Sequence, residues 1–417
     1  MVGLVAHCRA CGGRLTVTMA DLGMQPASNA FIADQSAFQQ EKRYPLRAKV
    51  CESCKLVQVD YDVAPEELFG NYHYFSSYSD DWLAHAEAYC GMARKRFALD
   101  ASSLVVELAS NDGYLLKNFL KMGIPVLGID PSDTVAAAAE KIGVPTLVEF
   151  FGQRVAGELV RQGRKADLII GNNVLAHVPQ LNDFLAGIAL LLQPNGNVTI
   201  EFPHLLELIE HVEFDTIYHE HYSYFSVHAI EQVFARHGLR LYDVERLPTH
   251  GGSLRIFAAH AARSDLKDSA ALQEVRAQEA AAGLADLATY TKFSKRVDEC
   301  RESLLAFLAA AKREGKRVAA YGAAAKGNTL LNFCSVTSQD IAFVADRNPH
   351  KQSKFLPGTH IPVVSPEELM RAKPAYVLIL PWNLRDEIRQ QLEGIKAWGG
   401  RFVTPVPVAR ILTNDLH

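Results

Sequence analysis

Residues 104–130 read LVVELASNDGYLLKNFLKMGIPVLGID, and the order of residue types in this stretch decides the fold. A short apolar run (104–108) ends in a turn of small and polar residues, Ala109, Ser110, Asn111, Asp112 and Gly113. A helical pattern follows, and a second apolar run closes on Asp130. Strand, glycine-containing turn, helix and strand form the repeating unit of a parallel sheet with helices on both faces. Downstream the alternation continues through ADLIIGNNVLAHVPQLNDFLAGIALLL and GNVTIEF, which predicts a central doubly wound, Rossmann-like α/β domain.

Residues 265–314 are rich in Ala, Leu, Glu, Lys and Arg with almost no breakers, and predict long connecting helices. After Gly315 the alternation resumes in KRVAAYGAAAKGNTLLNFC, IAFVADRNPH, AYVLILPWN and RFVTPVP, a second and smaller α/β unit. Ahead of all this lies a segment of another kind, in which Cys8 and Cys11 form one C-x-x-C and Cys51 and Cys54 another. Two such knuckles suit tetrahedral zinc, each pair spanning one edge of the tetrahedron. Four thiolates leave no open position for water, so the expected zinc is structural rather than catalytic. The expected division is therefore a zinc-binding domain (1–75), a cofactor domain (76–264), a helical connector (265–314) and a C-terminal α/β domain (315–417).

Bulk properties narrow the function. The 417-residue chain is 48% hydrophobic and 22% charged, with a formal net charge of −4, which gives no electrostatic reason to approach nucleic acid or anionic lipid. No segment has the uninterrupted apolar length of a membrane helix, and the start lacks a signal-peptide layout, so a cytoplasmic protein, taken as a monomer, is expected. Of the seven cysteines, Cys90, Cys300 and Cys334 lack ligand spacing and read as packing residues.

At the carboxyl end of the first strand a ligand meets a tight turn and free helical N–H groups, and Asp130, about twenty residues on, can accept both hydroxyls of a ribose. This suits NAD or S-adenosylmethionine. The turn lacks G-x-G-x-x-G, and Glu107 is awkward beside a pyrophosphate but useful near a cationic cofactor, so the methyl donor is favoured. Glu107, Ala109, Asn111, Gly113, Asp130 and Pro131, with Asn172 and Asn173 after the third strand, are the expected cofactor residues.

The densest cluster of ionisable and aromatic side chains, EFDTIYHEHYSYFS, holds Tyr218, His219, Glu220, His221, Tyr222 and Tyr224. Carbon methylation beside a ketone needs a base for the α-proton and donors for the enolate oxygen, and histidine and tyrosine supply both. Tyr72, Tyr74 and Ser76 in NYHYFSSYSDDW, together with Tyr222, His177 and His250, are candidates for a sugar pocket. At the start of the last unit, small residues followed by Lys326 and Asn328 can receive a diphosphate on backbone N–H groups.

CRACGG, CESC, YHYFSS, ELASNDG, FDTIYHEH, HGGSLR, YGAAAKGN and HKQSKFLPGTHIP run over nearly the whole chain. In these motifs the sequence resembles the S-adenosylmethionine-dependent nucleotide-sugar C-methyltransferases of unusual deoxysugar pathways, a family that includes methylation at C3 of a TDP-linked 3-amino-4-keto sugar. The resemblance implies zinc on the four cysteines, the cofactor in the middle domain, and a sugar nucleotide between domains with help from the C-terminal one. It further implies His221 as base, with Tyr74, His177, Tyr218 and Glu220 around the sugar. Two departures stand out: Ala109-Ser110 where Gly-Cys is expected, and His219 where a relative carries an aspartate. The expectation is methylation of the carbon next to the ketone of a TDP- or GDP-linked 4-keto-6-deoxy sugar. An NAD-dependent nucleotide-sugar dehydrogenase or epimerase, and a non-catalytic zinc-containing sugar-nucleotide binder, are the alternatives.

Overall fold

The computed structural model describes residues 3–64, 68, 77 and 80–413, without the side chains of residues 80 and 81. Tyr72, Tyr74 and Ser76 lie outside the described residues.

The N-terminal part contributes strands β1 (Gly3–Leu4), β2 (Val17–Gln25), β3 (Tyr44–Val50), β4 (Val57–Val59) and β5 (Tyr61–Asp62). Strand β3 alternates as a half-buried strand should, with Leu46, Ala48 and Val50 inward. The central domain follows with β6 (Val105–Leu108), β7 (Val126–Asp130), β8 (Thr146–Val148), β9 (Ala166–Asn172), β10 (Leu192–Pro203), β11 (Ser223–Tyr224), β12 (Leu239–Leu247) and β13 (Ser253–His260). Its seven-stranded sheet has the order β12-β13-β10-β9-β6-β7-β8. The five strands from β10 to β8 in that order are parallel, while β13 and β12 add antiparallel at one edge. Every residue of β6 and β7 is buried, as helices on both faces require. Helix packing is close where glycine permits it: a Cβ on Gly187 would lie 2.8 Å from the backbone of Gly152.

The C-terminal domain repeats the design with β14 (Val318–Tyr321), β15 (Val344–Ala345), β16 (Val363–Val364), β17 (Tyr376–Ile379), β18 (Arg401–Thr404) and β19 (Arg410–Ile411) in the order β16-β15-β14-β17-β18-β19. In both sheets the first strand is flanked by the second on one side and the fourth on the other. The strand order therefore reverses beside β6 and beside β14, and ligands of such sheets lie at the carboxyl ends of the strands there.

Beside cores of their own, the parts share one. Strand β11, from the tyrosine- and histidine-rich segment, pairs with β4 and completes the N-terminal sheet. The 27-residue helix Leu287–Arg313 buries Tyr290, Phe293, Val297, Cys300, Leu304, Leu308 and Ala311, a stripe at helical spacing. That stripe joins one apolar core with Met19 and Leu46 of the N-terminal sheet, Leu208 and Phe214 of the central domain, and Leu330 and Leu378 of the C-terminal domain. The preceding helix Ala270–Ala281 carries buried Glu279, which accepts from the amides of Val227 and His228 (2.7 and 2.8 Å) and pairs with His204. A carboxylate there compensates the open N–H groups at the start of helix Val227–Ala235. The connector is thus a spine to which the other parts are pinned.

Candidate active site

Two turns bring the four N-terminal cysteines together. Cys8 Sγ lies 3.6 Å from Cys54 Sγ and Cys11 Sγ 3.3 Å from Cys51 Sγ, and all four sulfurs fall within 4.8 Å of one another. Tetrahedral zinc with Zn–S near 2.3 Å needs sulfurs about 3.8 Å apart, so the set fits. Gly13 permits the closeness, since a Cβ there would meet Cys51 Sγ at 3.0 Å and Cys11 Sγ at 3.2 Å. The knuckles are docked on the central domain: Asn182 donates to the carbonyls of Arg9 and Ala10, and Gln232 to that of Cys54.

Where the central sheet reverses, the turn after β6 alternates left-handed residues, Ala109 (φ 53°), Asn111 (φ 50°) and Gly113 (φ 75°). Asp130, at the end of β7, ties it down by accepting from the amides of Asn111 and Ser132, both at 2.9 Å. Each carboxylate oxygen keeps a second lone pair for a hydroxyl of a bound ribose. Around it lie buried polar atoms with no partner among the described residues: Glu107 Oε2, Ser110 Oγ, Asp112 Oδ1, Asn172 Oδ1 and Asn173 Nδ2. Left unpaired, each costs about 1–3 kcal/mol, so their convergence suits a polar ligand that supplies the partners. Burial first, and then the neighbouring carboxylates Asp130, Asp112 and Glu201, push Glu107 well above the usual carboxylate range. A cation relieves that repulsion and a pyrophosphate adds to it, which matches S-adenosylmethionine. The expected cofactor residues therefore gather at one sheet edge, with Pro131 between Asp130 and Ser132. Ser77 reaches the same turn, its amide donating to Asp112 at 3.3 Å.

The reacting side chains lie on the segment between β10 and β11. His221 donates Nδ1–H to the Thr216 carbonyl at 3.1 Å, which leaves Nε2 as the basic nitrogen, 2.9 Å from the Tyr218 hydroxyl. His177 is set the same way, its Nδ1–H donating to the Glu220 carbonyl at 2.8 Å, and its ring meets that of His221 edge-on at 4.7 Å. Burial, then repulsion from His177, holds His221 well below the usual imidazole range, and burial lowers His177 to about 4. Both rings are neutral near pH 7. His250 (φ 58°) is exposed although protein surrounds it, as for a residue lining a cleft; burial within that concavity, then Lys326, lowers it to about 4. Its ring is 5.9 Å from that of Trp82, which stacks on His85. Across the cleft Lys326 donates to Asn383 at 2.8 Å and sits 4.6 Å over the Trp382 ring.

Several expected residues face elsewhere. Glu220 directs its carboxylate to Ser28 (3.0 Å) and Asn29 (3.1 Å) of the N-terminal part, and only its carbonyl reaches the histidines. Tyr222 is buried in the shared core beneath the Arg9 guanidinium, because strand pairing at β11 turns it inward. His219 lies against Tyr44 and the Pro45 carbonyl, and H-x-H gathers no metal set among the described residues. Asn328 is buried on its helix with Oδ1 taken by Asn332, while its Nδ2 has no partner among the described residues. The reading of the sequence missed Glu201, Arg255 and His85, a buried charged cluster at the end of β10 in which Arg255 pairs with Glu201 and His85 lies 3.1 Å from it. It also missed Asp215 and Trp382, joined by a 2.8 Å hydrogen bond between the central and C-terminal domains. A signal for Trp382 existed: it follows the fourth strand of its sheet, as Asn172 ends and Asn173 follows the fourth strand of theirs, the short β8 being the strand that the sequence did not announce.

Three families of known proteins match the chain in succession. A zinc binding domain family matches residues 8–69, a methyltransferase domain family residues 82–244, and a C-methyltransferase C-terminal domain family residues 248–407. C-methyltransferase NovU of Streptomyces niveus is 35% identical over 411 residues, covering 99% of this chain and 98% of its own. A ubiquinone biosynthesis O-methyltransferase of Rhodopseudomonas palustris is 27% identical over 115 residues, 26% of this chain and 46% of its own. Among solved structures, magnesium protoporphyrin IX methyltransferase of Synechocystis with bound SAM is 15% identical over 47% of this chain and 88% of its own (TM-score 0.33). With zinc knuckles, a sheet edge suited to a cationic cofactor, and a full-length relative of this kind, the chain belongs to the S-adenosylmethionine-dependent C-methyltransferase family.

Proposed function

We propose that the protein methylates the carbon next to the ketone of a nucleotide-linked 4-keto-6-deoxy sugar carried on TDP or GDP. The observation that carries this reading is the His221–Tyr218 pair. A neutral imidazole, fixed as the Nδ1–H tautomer, presents its basic nitrogen beside a hydroxyl. The cofactor, when bound, supplies an electrophilic methyl group.

Nε2 of His221 removes the α-proton, and the electron pair of the C–H bond moves into the enolate. The Tyr218 hydroxyl gives up its contact with Nε2 and donates to the enolate oxygen, stabilising the charge as it forms. The low proton affinity of His221 keeps it in the base form, and the Thr216 carbonyl then shares the positive charge of the imidazolium. In this reading residues 76–264 hold the methyl donor, residues 315–417 close over the sugar nucleotide, and the zinc-binding part (1–75) braces Glu220, whose carbonyl orients His177. Lys326 and His250 face the sugar nucleotide, and the printed name of the NovU relative supports carbon as the acceptor atom.

Mass spectrometry after incubation with S-adenosylmethionine and a panel of TDP-, GDP- and CDP-linked 4-keto-6-deoxy sugars tests the assignment. A product heavier by one methylene, with matching S-adenosylhomocysteine, is expected. No product with any of them despite bound cofactor overturns the substrate class. His221→Asn is expected to keep cofactor and zinc while losing most turnover, and an unimpaired variant removes His221 from the base role.

A further inference from the structure

The turn Phe214–Thr216 is gripped from the C-terminal domain. Phe214 is fully buried, its ring 5.3 Å edge-on from that of Phe333. Asp215 is fully buried as well, and its Oδ2 accepts from Trp382 Nε1–H at 2.8 Å while Oδ1 has no partner among the described residues. A buried carboxyl with one oxygen unpaired among the described residues is costly. Burial pushes it up to about 6, opposed by Lys326. Leucine or phenylalanine would fill the same space without that cost, so the carboxyl calls for a role other than filling the interface. The next residue is Thr216, whose hydroxyl and amide both bond the Glu213 carbonyl (2.7 and 3.0 Å) and whose own carbonyl holds His221 Nδ1–H. Three links therefore run in series: Trp382 to Asp215, Asp215 through the turn to Thr216, and Thr216 to the imidazole.

We infer that Asp215 and Trp382 are a positioning pair that couples the seating of the C-terminal domain to the orientation and tautomer of His221. The coupling rests on the reading of His221 as base only for its effect on turnover. A C-terminal domain seated against the turn holds the Thr216 carbonyl where it keeps the proton on Nδ1, and an unseated one releases Nε2 from its aim. The base is then competent only when the domain that covers the substrate is in place.

The test uses the full-length protein labelled with 15N-histidine, the His221 ring signals being identified by their loss in His221→Asn. In the wild type His221 shows the Nδ1–H tautomer with a slowly exchanging proton. Asp215→Ala and Trp382→Phe are each expected to lose that signature and to lower kcat by about 10- to 100-fold, with affinity for S-adenosylhomocysteine unchanged. Asp215→Asn, whose amide oxygen still accepts from Trp382, is expected to restore the signature. An intact signature in folded Trp382→Phe overturns the inference, and this variant decides the matter if Asp215→Ala does not fold. The spectrum is read without sugar, so wild-type protein that transfers no methyl to any keto sugar defeats the substrate reading and leaves the spectrum to decide the coupling.

Discussion

The central and C-terminal domains use one scaffold for different ends. In each, an aspartate at or just beyond the end of the second strand ties down the turn after the first. Asp130 accepts from Asn111 and Ser132, and Asp346 from Ala323 (2.7 Å) and Asn348 (2.8 Å). Around this shared device the side chains diverge. The turn after β6 sits over a buried glutamate and among polar atoms without partners among the described residues. The turn after β14 is made of Gly322, Ala323 and Ala324, packed so closely that a Cβ on Gly322 would meet Pro381 at 2.4 Å. Unpaired buried polar groups persist where a ligand completes them, and small side chains persist where backbone packs on backbone. The backbone device is common to both, and the side chains around it set the two turns apart.

The largest expected break in the comparison comes from cutting the same device twice. Asp130→Ala should weaken S-adenosylhomocysteine binding by about 100-fold, two charge-assisted hydrogen bonds being at stake. Asp346→Ala should leave that affinity alone and lower stability by about 1–3 kcal/mol. Calorimetric titration and thermal melts separate the two, and equal losses of affinity would erase the distinction. Next in size, Gly322→Ala should cost about 1–3 kcal/mol through the clash with Pro381 and a φ of 87°.

Smaller and of opposite sign to the histidines is the effect of Glu213, at the joint between the domains. Burial, then Asp215, pushes its carboxyl up to about 8. Its proton is held in the folded chain and lost near pH 4.3 in the unfolded one, so its contribution to stability is present below about pH 4 and fades as pH rises through about 8. Glu213→Gln should flatten the fall in Tm between pH 5 and pH 8 by a few degrees, and an unchanged slope would show that this carboxyl titrates normally. His177 and His219, each lowered to about 4 by burial, contribute stability above about pH 6.5 that is lost as pH falls through 4. The smallest effect is Ala109→Gly, which relieves a left-handed alanine and should raise stability by up to about 1 kcal/mol. A loss on this change would mean that the alanine side chain is needed in the turn.

Much of the architecture was legible because it rests on local pattern. Apolar runs of strand length, glycine-containing turns and breaker-free helices follow from residue type over a few positions. Two C-x-x-C pairs name a metal set without any knowledge of the path between them. The site was legible in part: Tyr218, His221, His177 and Lys326 were singled out by chemistry, and the cofactor turn by its place after the first strand. Glu220 and Tyr222 stand in the same heptapeptide as Tyr218 and His221 and read as equally chemical. Their turn away from the histidines depends on β4, more than 160 residues earlier, and on Ser28 and Asn29.

Sequence by itself determined the parallel strands of the two sheets, the zinc knuckles, the cofactor turn and the stock of bases and hydroxyls, since each depends on neighbours within one or two turns of chain. Tertiary structure alone decided which members of that stock gather around His221, that the three parts meet in a shared core, and that Asp215 meets Trp382. Those outcomes depend on pairings between residues far apart in the chain, and local periodicity carries no record of which distant surface a given side chain will meet.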